Sequence, residues 1–151
     1  MVRDYGIKAK QWIPARFTVT NGDVPILTDE QMAEDVLWYV QKHDWVTYAE
    51  LSARYGPQAS GDIAHVLDAK NWVFWLGMSQ QFADAIRRCH ETGCIHPHAT
   101  VPLTYLLDGE VPSLPVVKRN VVYSKPHWMP VTYRAGASCG HKDCPSILNN
   151  G

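Results

Sequence analysis

Two capping boxes nineteen residues apart constrain this chain more than any other feature of its sequence. In Thr28-Asp-Glu-Gln31, and again in Thr47-Tyr-Ala-Glu50, a hydroxyl can accept from the amide three residues on while the Gln or Glu side chain reaches back to the cap amide. Two helix starts are thereby fixed. The first helix is expected to run to about His43, with Met32, Val36, Tyr39 and Val40 at helical spacing and Asp29 and Glu30 at the positive end of its dipole. The second is about two turns long and stops at Gly56, a residue able to take the left-handed conformation that ends helices.

Further elements follow from pattern. Ile63, Val66 and Leu67 fall on one face of a third helix expected over 58–70, and Trp72-Val-Phe-Trp-Leu76 reads as a strand from its aromatic and β-branched content. Ser79 caps a fourth helix that carries Phe82, Ala85, Ile86 and Cys89 and ends near Gly93. Residues 1–27, with short β-favouring runs closed by Asn21-Gly22, are expected to form an extended arm or edge strand. Beyond Gly93 the character changes, since seven of the ten prolines lie between Pro97 and Pro145. Short strands are expected over 100–107, 114–117, 121–123 and 128–133, with Asp108-Gly109 as a turn. The expected organisation is an arm (1–27), a helical core with a fourth helix (28–93) and a β-rich, Pro-rich extension (94–151).

The chain of 151 residues is 46% hydrophobic and 19% charged, which excludes a disordered tail, a collagen-like repeat and a coiled-coil rod. No stretch approaches the ~18 consecutive apolar residues of a membrane span, and the N-terminus lacks an apolar segment behind its charges. A cytoplasmic protein with no membrane partner is expected. The net charge of −1 hides a gradient: residues 1–22 carry +3, residues 23–68 carry −7, and residues 87–142 carry +4. A polyanion would meet the arm or the C-terminal half.

In a reducing compartment the four cysteines are thiols or metal ligands before they are disulfides. Cys89-His-Glu-Thr-Gly-Cys94 and Cys139-Gly-His-Lys-Asp-Cys144 are paired C-x4-C loops that can close a structural zinc site, with His90, His96, His98 and His141 as alternate ligands. Buried free thiols are the competing reading, and Cys89 at three residues from Ile86 can simply complete an apolar helix face. No phosphate loop, HExxH, GxSxG or paired metal-carboxylate motif occurs, and no nucleophile–base pair is suggested, so catalysis is not expected.

The order TYAELSARYG (47–56), QASGDIAHVLDAKN (58–71), WVFWL (72–76) resembles a winged helix-turn-helix domain, with the last segment as the first wing strand. NWVFWLGMS, the Tyr105–Gly109 turn and the HWMPV run are also similar to small proteins of actinobacterial phages. The first resemblance implies an α+β chain built on a winged helix-turn-helix core, whose third helix enters the DNA major groove through Gln58, Ser60, Asp62 and His65, with Lys70 at its far end. That helix has no Arg, and Asp62 and Asp68 would face phosphates, so a core helix or a protein-docking face is the alternative. Lys8, Lys10, Arg16, Lys118, Arg119 and Lys125, interleaved with aromatic residues, are the other candidate phosphate contacts. The expected function is that of a small DNA-binding or transcription-associated regulator, or of a non-catalytic adaptor that docks a protein on the acidic face.

Overall fold

Thr28 does what its sequence context requires. In the computed structural model, which describes residues 26–137, its Oγ1 accepts from the Gln31 amide at 3.2 Å while the Gln31 side chain accepts from the Thr28 amide at 3.0 Å. Helix α1 (Asp29–His43) follows and buries Met32, Val36 and Val40. Two successive residues of positive φ, Asp44 and Trp45, turn the chain into a two-residue strand β1 (Val46–Thr47). That corner is clamped by Arg134, whose guanidinium meets both Asp44 oxygens at 2.9 Å and lies 4.1 Å from the Trp45 ring. The Arg134 bonds hold the Asp44 carboxyl below its usual range, outweighing the burial that opposes them.

Helix α2 (Tyr48–Tyr55) is capped by Thr47, which accepts from the Glu50 amide at 3.0 Å. The Glu50 side chain is taken by Tyr39, whose hydroxyl donates to it at 2.5 Å, so α2 has the cap but not the reciprocal half of the box. Arg54 reaches back from α2 to the fully buried Asp35 of α1 with bonds of 2.7 and 3.0 Å, and its guanidinium covers the Tyr39 ring.

The next element overturns an expectation. No helix forms over 58–70. A single 3₁₀ turn (Gly56–Ala59) leads into strand β2 (Ser60–Leu67), and a second 3₁₀ turn (Asp68–Lys70) leads into strand β3 (Trp72–Met78), antiparallel to it. Ile63 and Leu67 are half-buried at the spacing of one helical turn, but so is His65 between them, while Asp62, Ala64 and Val66 are exposed. That is a period of two, which the positions 63, 66 and 67 alone could not separate from a helical stripe. Gly61 adds a reason: a Cβ there would stand 2.6 Å from the Met78 carbonyl oxygen, a closeness that suits paired strands.

Helix α3 (Gln80–Glu91) starts as expected at Ser79, whose Oγ accepts from the Phe82 amide at 3.1 Å, and packs Phe82, Ile86 and Cys89 into the core. The C-terminal part departs again. Strand β4 (Ile95–Ala99) runs through Pro97, and the segment expected as a strand over 100–107 contains helix α4 (Pro102–Leu107), with Pro102 in its first turn where a missing N–H costs nothing. Residues 114–117 and 121–123 form no strand; only Val116 makes a bridge, to Trp128. The run expected as one strand over 128–133 is two: β5 (His127–Trp128) pairs parallel to β3, and β6 (Val131–Ala135) pairs antiparallel to both β1 and β4. The chain passes between sheets at Met129-Pro130.

The described residues are thus α+β, with four α-helices and two three-stranded sheets ordered β1-β6-β4 and β2-β3-β5. One buried cluster draws on both sheets and on all four helices. Trp72, Trp75 and Trp128 lie in it, Trp38 is half-buried, and Trp45 is 46% exposed over Arg134. No helix among the described residues is long and apolar enough to cross a membrane. The arm, apart from its last two residues, and the tail beyond Ala137 lie outside the described residues.

Two substitutions test this packing. In a helix Gly61→Ala would stabilise by about 0.5–1 kcal/mol, whereas against the Met78 backbone it should destabilise by about 1–3 kcal/mol, so the sign of the change in urea unfolding separates the two structures. Arg54→Met should cost about 3–5 kcal/mol in the same assay, because it leaves the Asp35 carboxylate buried without its partner.

Candidate nucleic-acid interface

The β2–β3 hairpin ends in Asp68-Ala-Lys70, and Asn71, in the left-handed region at φ 57°, completes the turn. Asn tolerates that conformation better than most side chains do. Its other role is to hold a second segment. The Asn71 side-chain amide donates to the Tyr123 carbonyl at 2.8 Å, its own carbonyl accepts from the His127 amide at 2.9 Å, and the Lys70 carbonyl accepts from the Tyr123 amide at 3.1 Å. Trp72, buried at the start of β3, donates its indole N–H to the Val121 carbonyl at 3.1 Å. Residues 118–127 are therefore laid across the hairpin tip.

Tyr123 shapes that loop from inside. Its hydroxyl accepts from the Lys118 and Arg119 amides at 3.1 and 3.2 Å, and its ring stacks on His127 at 3.8 Å. Both amides point inward, while the Lys118, Arg119 and Lys125 residues are exposed. The Lys70 ammonium is held by the Asn120 side-chain oxygen and lies 4.7 Å from the Trp72 ring centre. Four cations thus share one pole, and across 68–72 and 116–128 the sole acid is Asp68.

The other sequence candidates are dispersed. Gln58 is used structurally: its side chain accepts from the Leu27 amide at 3.3 Å and its carbonyl accepts from Ser79 Oγ at 2.5 Å. Ser60 and Asp62 are exposed along β2, and His65 is directed to the hydroxyl of Tyr48, 2.9 Å away. With a strand in place of the third helix, Gln58, Ser60, Asp62 and His65 do not form a groove-reading face. Lys8, Lys10 and Arg16 lie outside the described residues. Asn71 and Asn120, which organise the pole, were not singled out by sequence; the signal for Asn71 was a residue of turn chemistry directly before a strand.

For the metal candidates, Cys89 Sγ is buried and donates to the Ala33 carbonyl at 3.2 Å, and burial pushes its thiol up to about 12. Cys94 Sγ accepts from Thr92 Oγ1 at 3.4 Å. His96 and His98 are buried on β4 with ring centres 5.8 Å apart, and His96 Nδ1 faces the Gly136 carbonyl at 2.8 Å. Burial also lowers the pKa of the half-buried His90. No group of three or more His, Cys, Asp or Glu is arranged to hold a metal ion among the described residues, and Cys139, His141 and Cys144 lie outside them.

No family, curated protein or solved structure matches this chain.

Removing the Tyr123 hydroxyl should loosen this loop without disturbing the hairpin. Tyr123→Phe is expected to cost about 1 kcal/mol and to speed hydrogen exchange at the Lys118 and Arg119 amides, with exchange across β2 and β3 unchanged.

Proposed function

We propose that this protein is a small, non-catalytic DNA-binding protein of the regulatory kind, and that it grips the phosphate backbone with the cationic end of the β2–β3 hairpin. The observation that carries this is the docking of 118–127 onto the hairpin tip, by which Lys118, Arg119 and Lys125, some fifty residues away in sequence, are brought beside Lys70. Gathered cations release condensed counterions when they meet phosphates, which is the main source of sequence-independent affinity. A hairpin with a basic tip supports a reader that contacts the duplex through the end of a β-ribbon. With the third helix replaced by β2, backbone contact and groove shape are favoured over base readout.

Fluorescence anisotropy of a labelled duplex at about 50 and 200 mM salt tests the proposal. Up to four phosphate contacts predict a log–log salt slope of about −3 to −4, and Lys118→Glu with Arg119→Glu should flatten it by about two. An absence of binding at low salt, or a slope indifferent to the double reversal, would contradict it.

A second reading, docking of a protein, is favoured by α4, where Leu103, Leu106 and Leu107 are 59–80% exposed. It does not draw on Asp35, which is buried against Arg54. Leu103→Ser with Leu107→Ser should leave duplex binding unchanged if the hairpin is the contact.

A further inference from the structure

On the hairpin's flank lies an open cavity of about 280 Å³ between β2, α3 and β4, and neither the sequence nor the function proposed above uses it. Three consecutive residues of β2, Ala64, His65 and Val66, line it. In a regular strand His65 would point away from its neighbours. The β2–β3 register shifts on either side of His65, an irregularity of the kind that occurs commonly beside binding sites, and the cavity touches both faces of the strand there.

The polar side of the cavity is built from groups already fixed in place. Tyr48 Oη lies 2.9 Å from His65 Nδ1 and 2.8 Å from Tyr133 Oη, with both tyrosines buried. Tyr48 is further ordered by Trp75, stacked parallel at 5.9 Å. Phe74, Ile86 and Pro97 supply apolar wall. His90 also lines the cavity, and its imidazole has no hydrogen-bond partner among the described residues.

Charge narrows the ligand. Arg87 stands on the wall, where Asp84 meets it at 2.6 Å and Glu91 at 3.9 Å, so an anion would have to compete with two carboxylates for it. Burial lowers the pKa of both His65 and His90, which keeps them neutral near pH 7. A cation would enter without a counterion, an anion would have to displace Asp84 or Glu91 from Arg87, and a purely aliphatic ligand would leave the tyrosine and histidine groups unanswered. The volume lies just under the ~300–1,000 Å³ of drug-sized pockets, which suits one or two fused rings.

We propose that this cavity receives one neutral, planar, hydrogen-bonding heteroaromatic ring of nucleobase size. Val66 on its wall is four residues from Lys70, on the order of 10 Å along the hairpin at strand and 3₁₀ rises. That is about three steps of a stacked strand, so a base seated here would have its neighbouring phosphates within reach of the cationic tip. The identification of the ring as a base rests on the nucleic-acid reading; the preference for a neutral planar ring does not.

The test is an NMR titration of protein carrying ¹³C-methyl alanine, with adenosine, uridine and benzoate as separate probes, followed by a mixed-sequence single-stranded oligonucleotide. Saturable shifts of the Ala64 methyl and the His65 and His90 rings are expected for a nucleoside, with a Kd below about 1 mM and binding about tenfold weaker for benzoate. Ala64→Trp, an exposed position, fills the cavity and should abolish the ring shifts, while Tyr133→Phe keeps the packing and should weaken binding several-fold. Shifts with the oligonucleotide alone would still support the cavity, with the base arriving on a strand. Nucleoside binding that survives in Lys118→Glu/Arg119→Glu, or in a protein that fails to bind duplex, would separate the cavity from the phosphate contacts. No saturable shift with any nucleoside or with the oligonucleotide, equal affinity in Ala64→Trp, or benzoate binding as well as adenosine would overturn the proposal.

Discussion

The pairing of β2 with β3 is the constraint on which most of this molecule depends. Strand β3 is the middle member of its sheet, with β2 antiparallel on one side and β5 parallel on the other. Gly61 permits the close approach at one end, and Asn71 closes the turn at the other. From this hairpin the chain hangs α3 at Ser79, the 118–127 loop at Asn71 and Trp72, and the crossing into the second sheet at Trp128. The bonds at the tip set the register of the loop at about 1 kcal/mol each. Burial of Trp128 beside them, worth about 3 kcal/mol for a large side chain, contributes more than any one of those bonds.

A second set of contacts fixes the other half of the core to this hairpin. Tyr48 begins α2, yet its hydroxyl meets His65 of β2 and Tyr133 of β6, so one side chain joins a helix and both sheets. Tyr105 does similar work from α4: its hydroxyl donates to the Val131 carbonyl at 2.6 Å and accepts from the Tyr48 amide at 3.2 Å. These groups are almost fully enclosed, and burial raises the pKa of every tyrosine among them. They persist as neutral hydrogen-bonded hydroxyls, which satisfies polar atoms that would otherwise be costly in a core. The cavity beside them therefore has a pre-organised polar wall.

How far the sequence could be read follows from where its signals are local. The caps at Thr28, Thr47 and Ser79 use bonds made within three residues, and α1, α2 and α3 start where those residues stand. Residues 58–70 carried no cap, and Ile63, Val66 and Leu67 suit a helix face as well as an irregular strand. Only the long-range pairing with 72–78 decides, and pairing partners are not a local property. The same holds for 100–107, where β-favouring Val101 and Thr104 flank a proline that opens a helix. Lys118, Arg119 and Lys125 were visible as a basic cluster with aromatic neighbours. Their meeting with Lys70 was not, since it depends on Asn71, Asn120 and Tyr123 bonding across about fifty residues. The cavity was invisible for a related reason: its lining comes from β2, β3, α3, β4, Tyr48 and Tyr133, which only the tertiary fold brings together.

In the proposed function one hairpin end, and no helix, meets the nucleic acid. Mapping backbone amide shifts of the ¹⁵N-labelled protein during titration with a short duplex at low salt tests it most directly. The account predicts salt-sensitive shifts concentrated at 68–71 and 118–127, with α1 and α2 little changed. Shifts centred on α1 and α2, with the hairpin tip and the 118–127 loop unmoved, would contradict it.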